Sequence, residues 1–436
     1  MHLSTQQSRA TRWRSTTMAI ALVAGTILAP AASVVAAEPS DMVLRWNSNA
    51  IAAIGNLPTA TPPGLGQPPP LAPIHLAMVH GAIYDAVQAI VETHEPYLGG
   101  LDAPSSASKA AAVAAAARGV LVGLATASPT VTDSVNALYD ASLLEIPDGA
   151  AETAGVAVGA AAAAAMLADR AGDGRFGTTT FDVGDDPGEW RLVPPLNANS
   201  FHWVGDVRPF TLERPDQYRI GAPFPLSSPE YAAEFNEVKS LGGATSTRTP
   251  AQAELASFSS VNPFPMVNRG LREIAAARGL SVSQQARLFV MTTMSAADSA
   301  IACWENKDHW NFWRPQTAIQ LAGSDGNPAT VADPGWTSLI PSPGYPDPPS
   351  GFNCLVSGTM NGARAYFGTN RMTFDLTSIG AAPVTRHYKQ FSGPIKDAID
   401  GRVYVGLHFR RADEQGAWLG MKVAKWLDSH YFAAID

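Results

Sequence analysis

The chain has 436 residues, 46% of them hydrophobic and only 16% charged, with 38 Asp and Glu against 30 Lys and Arg. This composition suits a globular protein with a large core and excludes a disordered one. The acidic balance, with no basic stripe, also excludes a nucleic-acid partner held through its phosphates.

The first element in chain order is read as a leader, not as part of the fold. Arg9, Arg12 and Arg14 form a basic n-region, residues 18–29 a short apolar h-region, and Val35, Ala36 and Ala37 small residues before a cleavage point at Glu38. The pattern is that of a secretory signal peptide over 1–37. Its apolar run falls short of the roughly 20 residues a spanning helix needs. No later run is long and unbroken enough to span a bilayer, so no membrane span is expected after the signal is removed. The expected location is secreted or periplasmic. Two cysteines, Cys303 and Cys354, are too few for a disulfide framework. A single bond between them and two buried thiols are both open.

The remainder, 38–436, is expected to be a single all-α domain. The stretch 57–73 is Pro-rich and reads as a linker or surface crossing. Residues 73–90 begin with Pro and carry apolar positions at three-and-four spacing, which predicts a helix. Residues 105–125 and 150–172 are Ala-rich, and alanine has the highest helix propensity. Between about 173 and 228 the chain turns rich in Gly, Pro, Asp and aromatics. This predicts a long ordered excursion, suited to covering a cleft. Thr249 followed by Pro250 predicts another helix start. Ser281 to Gln284 reads "SVSQ", a capping box that opens a long helix toward Trp310. Little of the chain alternates with period two, so no large sheet is expected.

Three later segments carry the chemistry. In "KDHWNFWRP", Lys307 and Arg314 stand seven apart among aromatics, and Pro315 keeps Arg314 out of the helical region. In "PPSGFNC", Ser350 and Gly351 open an apolar helical run, where free N–H groups and a hydroxyl make an anion site. In "GRVYVGLHFRRAD", Arg402 and His408 are six apart. Together these supply two guanidinium forks, an ammonium, a helix N-terminus and an imidazole, the set a compact oxyanion needs. Arg410, Arg411, Asp413 and Glu414 read as a solvated charged face.

The three segments, in this order, resemble the signature of the vanadium-dependent haloperoxidase and type-2 phosphatidic acid phosphatase superfamily. "LAMVHGAIYDAVQAI" and "HFRRADEQG" resemble its bacterial secreted haloperoxidase-like branch. The resemblance implies an all-α helical bundle around an oxyanion, vanadate or phosphate. Lys307, Arg314, Ser350, Gly351 and Arg402 would hold its oxygens, and His408 would bond axially to vanadium. It further implies hydrogen peroxide and a halide as substrates with a small organic acceptor or, in the phosphatase branch, a phosphate ester with His408 as nucleophile. The family places its acid–base histidine directly after P-S-G, and here that position is Phe352, which transfers no proton. Gly401 stands where Ser is frequent, and Asp413 lies one residue further from His408 than the phosphatase pattern wants. Asp298 and Asp413 are the accessory carboxylates expected to orient His408, and His309 is the substitute proton carrier. The reading is a haloperoxidase-like enzyme, impaired at its proton-transfer step. The rivals are an acid phosphatase and a non-catalytic oxyanion-binding protein. The halide, the acceptor and whether the chain forms a homo-oligomer are not legible.

Overall fold

The computed structural model describes residues 38–57, 70–378 and 383–435. The expected signal peptide and most of the Pro-rich stretch lie outside the described residues. The helices α1 to α5 are Met42–Asn56, Ala72–Val91, Lys109–Leu124, Pro129–Leu143 and Ala150–Asp169. After the Gly- and Pro-rich excursion follow α6 Pro229–Leu241, α7 Pro250–Phe258, α8 Pro263–Ala277, α9 Val282–Trp310 and α10 Pro315–Leu321. Then come α11 Gly351–Phe367, the strands β1 Arg371–Thr377 and β2 Thr385–Gln390, and finally α12 Ser392–Val405 and α13 Arg410–His430. The fold is helical, and the antiparallel pair β1–β2 is the sheet among the described residues.

Local chemistry accounts for the helix starts. Ser281 accepts from the Gln284 amide while the Gln284 side chain returns to the Ser281 amide, so the capping box forms and α9 runs 29 residues to Trp310. Thr249 and Gln252 make the same box at α7, with Pro250 in the first turn. Pro73 sits in the first turn of α2, where its missing N–H costs no helical bond. The Ala-rich α3 and α5 pack closely on each other, and α3 also meets α2. α9 is the central rod, packed against α2, α11 and α13. Its residues from Leu288 to Trp304 are buried.

The excursion over 173–228 is ordered mainly by contacts with α9. Asp298 accepts from the amides of Phe210 (2.7 Å), Thr211 (2.7 Å) and Leu212 (3.1 Å) and from the Thr211 hydroxyl (2.6 Å). The backbone of Trp190 bonds Asn311, and that of Gly188 bonds Trp313. It therefore clamps the end of α9, and the cleft it was expected to cover is walled by other segments. At the far end, α12 stops at Gly406, whose φ of +81° is open to glycine and strained for other residues. That left-handed residue reverses the chain and sends His408 back under α11.

Candidate active site

Four elements meet at one cavity of ≈ 320 Å³, lined among others by Trp304, Tyr345, Gly351, Phe352, Arg402 and His408. Lys307 and Arg314 lie immediately behind its wall and are fully buried. Lys307 Nζ donates to the carbonyls of Pro346 (2.8 Å) and Pro349 (2.6 Å). Arg314 donates from Nε to Tyr345 (2.7 Å), from Nη1 to Leu407 (2.9 Å) and from Nη2 to Pro346 (3.3 Å). The two cations thus grip the loops that carry Ser350 and His408, and their charges sit beneath the Tyr345 ring at 5.3 and 5.0 Å. Arg314 is extended (ψ 160°) just before Pro315, as the proline requires.

Arg402 reaches the cavity from the last turn of α12. Its Nη1 donates to Ser259 (2.8 Å), its guanidinium lies 4.9 Å over the Phe352 ring, and its Nε is buried without a partner. Burial lowers its pKa to about 10, so it stays a cation at neutral pH. A Cβ at Gly401 would overlap the Ser259 hydroxyl, which explains a glycine at that position. Ser350 caps α11 with backbone only, since its side chain accepts from Asn353 Nδ2 (3.2 Å) rather than from a first-turn amide. The first-turn N–H groups of α11 therefore stay available to an anion.

His408 is buried, with Nδ1 2.7 Å from Asp347 Oδ1. His408 and the Lys307–Arg314 cations hold the Asp347 carboxyl below its usual range against the opposing effect of burial. An ionised carboxylate only accepts, so Nδ1 carries the proton and donates. Burial pushes the His408 pKa down to about 3, and the ring is neutral at pH 7. Nε2 then presents a lone pair with no partner among the described residues. This is the arrangement of an imidazole ligand or nucleophile, with its tautomer set from behind.

The carboxylate on His408 is thus neither of the two expected from sequence. Asp298 is buried in the clamp on residues 210–212. Asp413 accepts from Asn353 Nδ2 (2.7 Å), and burial pushes its carboxyl well above the usual range. His309 is exposed against Trp310, away from the cavity. Asp347 was missed because it lies 61 residues before His408, among prolines. Its one sequence signal is a lone acid three positions before Ser350. Cys303 and Cys354 are buried free thiols beside the site, which decides between the two open readings.

The residues present fit an oxyanion. Lys307, Arg314 and Arg402 face one ionised carboxylate, Asp347. Arg402 Nε is buried without a partner, His408 Nε2 makes no hydrogen bond among the described residues, and α11 starts at Gly351, which lines the same cavity. Cations buried in such excess are stabilised by an anion that enters.

Residues 287–436 match the family described as the VCPO second helical-bundle domain. Solved structures are alike over most of the chain. A bacterial vanadium-dependent iodoperoxidase, 21% identical, has a TM-score of 0.72 and covers 91% of this chain and 96% of its own. A holo-type bacterial vanadium-dependent chloroperoxidase, 18% identical, has a TM-score of 0.70, with 90% and 97% covered. At these identities the structural likeness is one of fold. Curated proteins gave no sequence match. Residues 287–436 thus match the family of a haloperoxidase-type second helical-bundle domain, and about nine tenths of the chain shares the fold of bacterial vanadium-dependent iodo- and chloroperoxidases.

Proposed function

We propose that the protein is a vanadate-dependent haloperoxidase, oxidising a halide with hydrogen peroxide and passing the product to a small organic acceptor. The observation that carries this reading is the free Nε2 of His408, backed by ionised Asp347 and facing an anion cavity. Vanadate, when bound, supplies a Lewis acid that polarises peroxide. Arg402 and the α11 amides at Gly351 would hold its oxygens, while Lys307 and Arg314 would add positive potential from behind. Asp347 fixes the His408 tautomer. Phe352 closes one side of the cavity and carries no proton. The chain is proposed to act outside the cytoplasm, on the strength of its leader pattern.

The same lone pair favours a second reading, an acid phosphatase with His408 as nucleophile, because phosphate shares the shape and charge of vanadate. Phe352 favours the third, an oxyanion-binding protein without turnover. One experiment separates them. The purified protein and His408→Ala are assayed with orthovanadate, peroxide and iodide or bromide, and beside that with p-nitrophenyl phosphate. Vanadate-dependent halide oxidation, lost in His408→Ala, is the expected result. Hydrolysis without halide oxidation transfers the function to the phosphatase. Anion binding with neither activity leaves the binding protein.

A further inference from the structure

The site has lost the histidine that would exchange protons beside the anion, and the structure points to a different group in that place. We infer that the Tyr345 hydroxyl is the hydrogen-bond and proton donor to the bound oxyanion. The inference rests on the oxyanion reading of the site.

Tyr345 lines the cavity together with Phe352, Arg402 and His408. Its ring is held on three sides. Trp304 lies 5.0 Å away, Lys307 Nζ 5.3 Å and the Arg314 guanidinium 5.0 Å. Its backbone is fixed as well, because its carbonyl accepts from Arg314 Nε. The hydroxyl makes no hydrogen bond among the described residues, and the residue lines the cavity. A rigid ring with a free hydroxyl at an anion cavity is a donor awaiting an acceptor.

The other groups at the cavity do not serve. Phe352 has no polar atom. His408 spends its proton on Asp347 and presents only a lone pair. Arg402 stays protonated, and His309 is elsewhere. Ser260 and Asn262 line the rim, but neither is acidic enough to give up a proton readily. Tyr345 can donate to an anion oxygen and pass its proton to a departing oxygen. The phenol O–H bond breaks as the new O–H bond forms. Burial raises the Tyr345 pKa, which keeps the hydroxyl protonated and ready to donate, while the Arg314 and Arg402 charges oppose that rise and favour the transient phenolate, which regains a proton from water entering the cavity.

The test compares wild type, Tyr345→Phe, and Tyr345→Phe combined with Phe352→His. Phenylalanine keeps the ring and its packing on Trp304, so melting temperature should match wild type. Calorimetric titration with orthovanadate and with inorganic phosphate should show affinity about tenfold weaker in Tyr345→Phe, the loss of one hydrogen bond to a charged group. Turnover in whichever assay the wild type passes should fall about 10²-fold and recover in the double variant. Unchanged affinity and turnover in Tyr345→Phe would overturn the inference. If the wild type turns over in neither assay, the haloperoxidase reading fails by itself. The titrations then decide alone: weaker binding supports Tyr345 as donor and equal binding refutes it.

Discussion

Asp347 and Asp298 are both buried carboxylates close to the candidate oxyanion segments, yet they do different work. Asp347 fixes His408 and balances the Lys307 and Arg314 cations. Asp298 ties residues 210–212 to α9 through four accepted bonds. Asp347→Asn keeps the size but removes the charge that sets the imidazole tautomer. Activity or vanadate affinity should fall about 10–100-fold, the usual effect of losing such a partner. Asp298→Asn should lower stability by about 1–3 kcal/mol while bound vanadate is held as before. Paired denaturation and titration experiments check this. Equal losses of affinity in both variants would contradict the assignment. Lys307, Arg314, Ser350, Arg402 and His408 could be singled out from sequence because charged and imidazole groups stand among aromatic and apolar neighbours and a Ser-Gly pair opens a helix. Asp347 was not, since a lone acid between prolines reads as a turn.

At the scale of elements, α9 was legible from end to end, because a capping box and a helical pattern are local signals. The β1–β2 hairpin was not anticipated, although Met372, Phe374 and Leu376 alternate inward on β1. Seven residues of alternation are too few to stand out beside helices of twenty. The seam between α2 and α9 carries a buried neutral imidazole, His80. Its Nε2 lies 2.9 Å from Asn47 Nδ2, and its ring stacks 5.0 Å from Phe289. Burial, with a smaller effect of Arg272, pushes its pKa from 6.5 to about 3. Between those values the unfolded chain binds the proton and the folded chain does not. The stability due to His80 is therefore complete above about pH 6.5 and is lost as pH falls toward 3, at up to about 1.4 kcal/mol per pH unit. On acidification from pH 6.5 to 4.5, wild type should lose about 2 kcal/mol more than His80→Gln. Urea denaturation at both values measures it, and equal losses would count against a buried neutral ring.

At the scale of the whole molecule, export is proposed from the leader pattern over 1–37, and the residues that line the cavity all follow Glu38 in the chain. Expression of the full chain with its leader should give an exported protein whose first residue is near Glu38. N-terminal sequencing reads this directly, and an intact Met1 on a membrane-bound product would refute it.

Helices α2, α3, α5, α7, α9 and α11, the caps at Thr249 and Ser281 and the three oxyanion segments could be read from sequence, because each depends on neighbours a few residues away. The bundle class followed from them with the help of the resemblance. What tertiary structure alone decided is which groups meet. Asp347 reaches His408 across 61 residues, Arg402 lies over Phe352, and Tyr345 stands over Lys307 and Arg314. Hydrogen bonds and charge–ring contacts act over a few ångströms in space, and distance along the chain carries no record of them until the helices have packed.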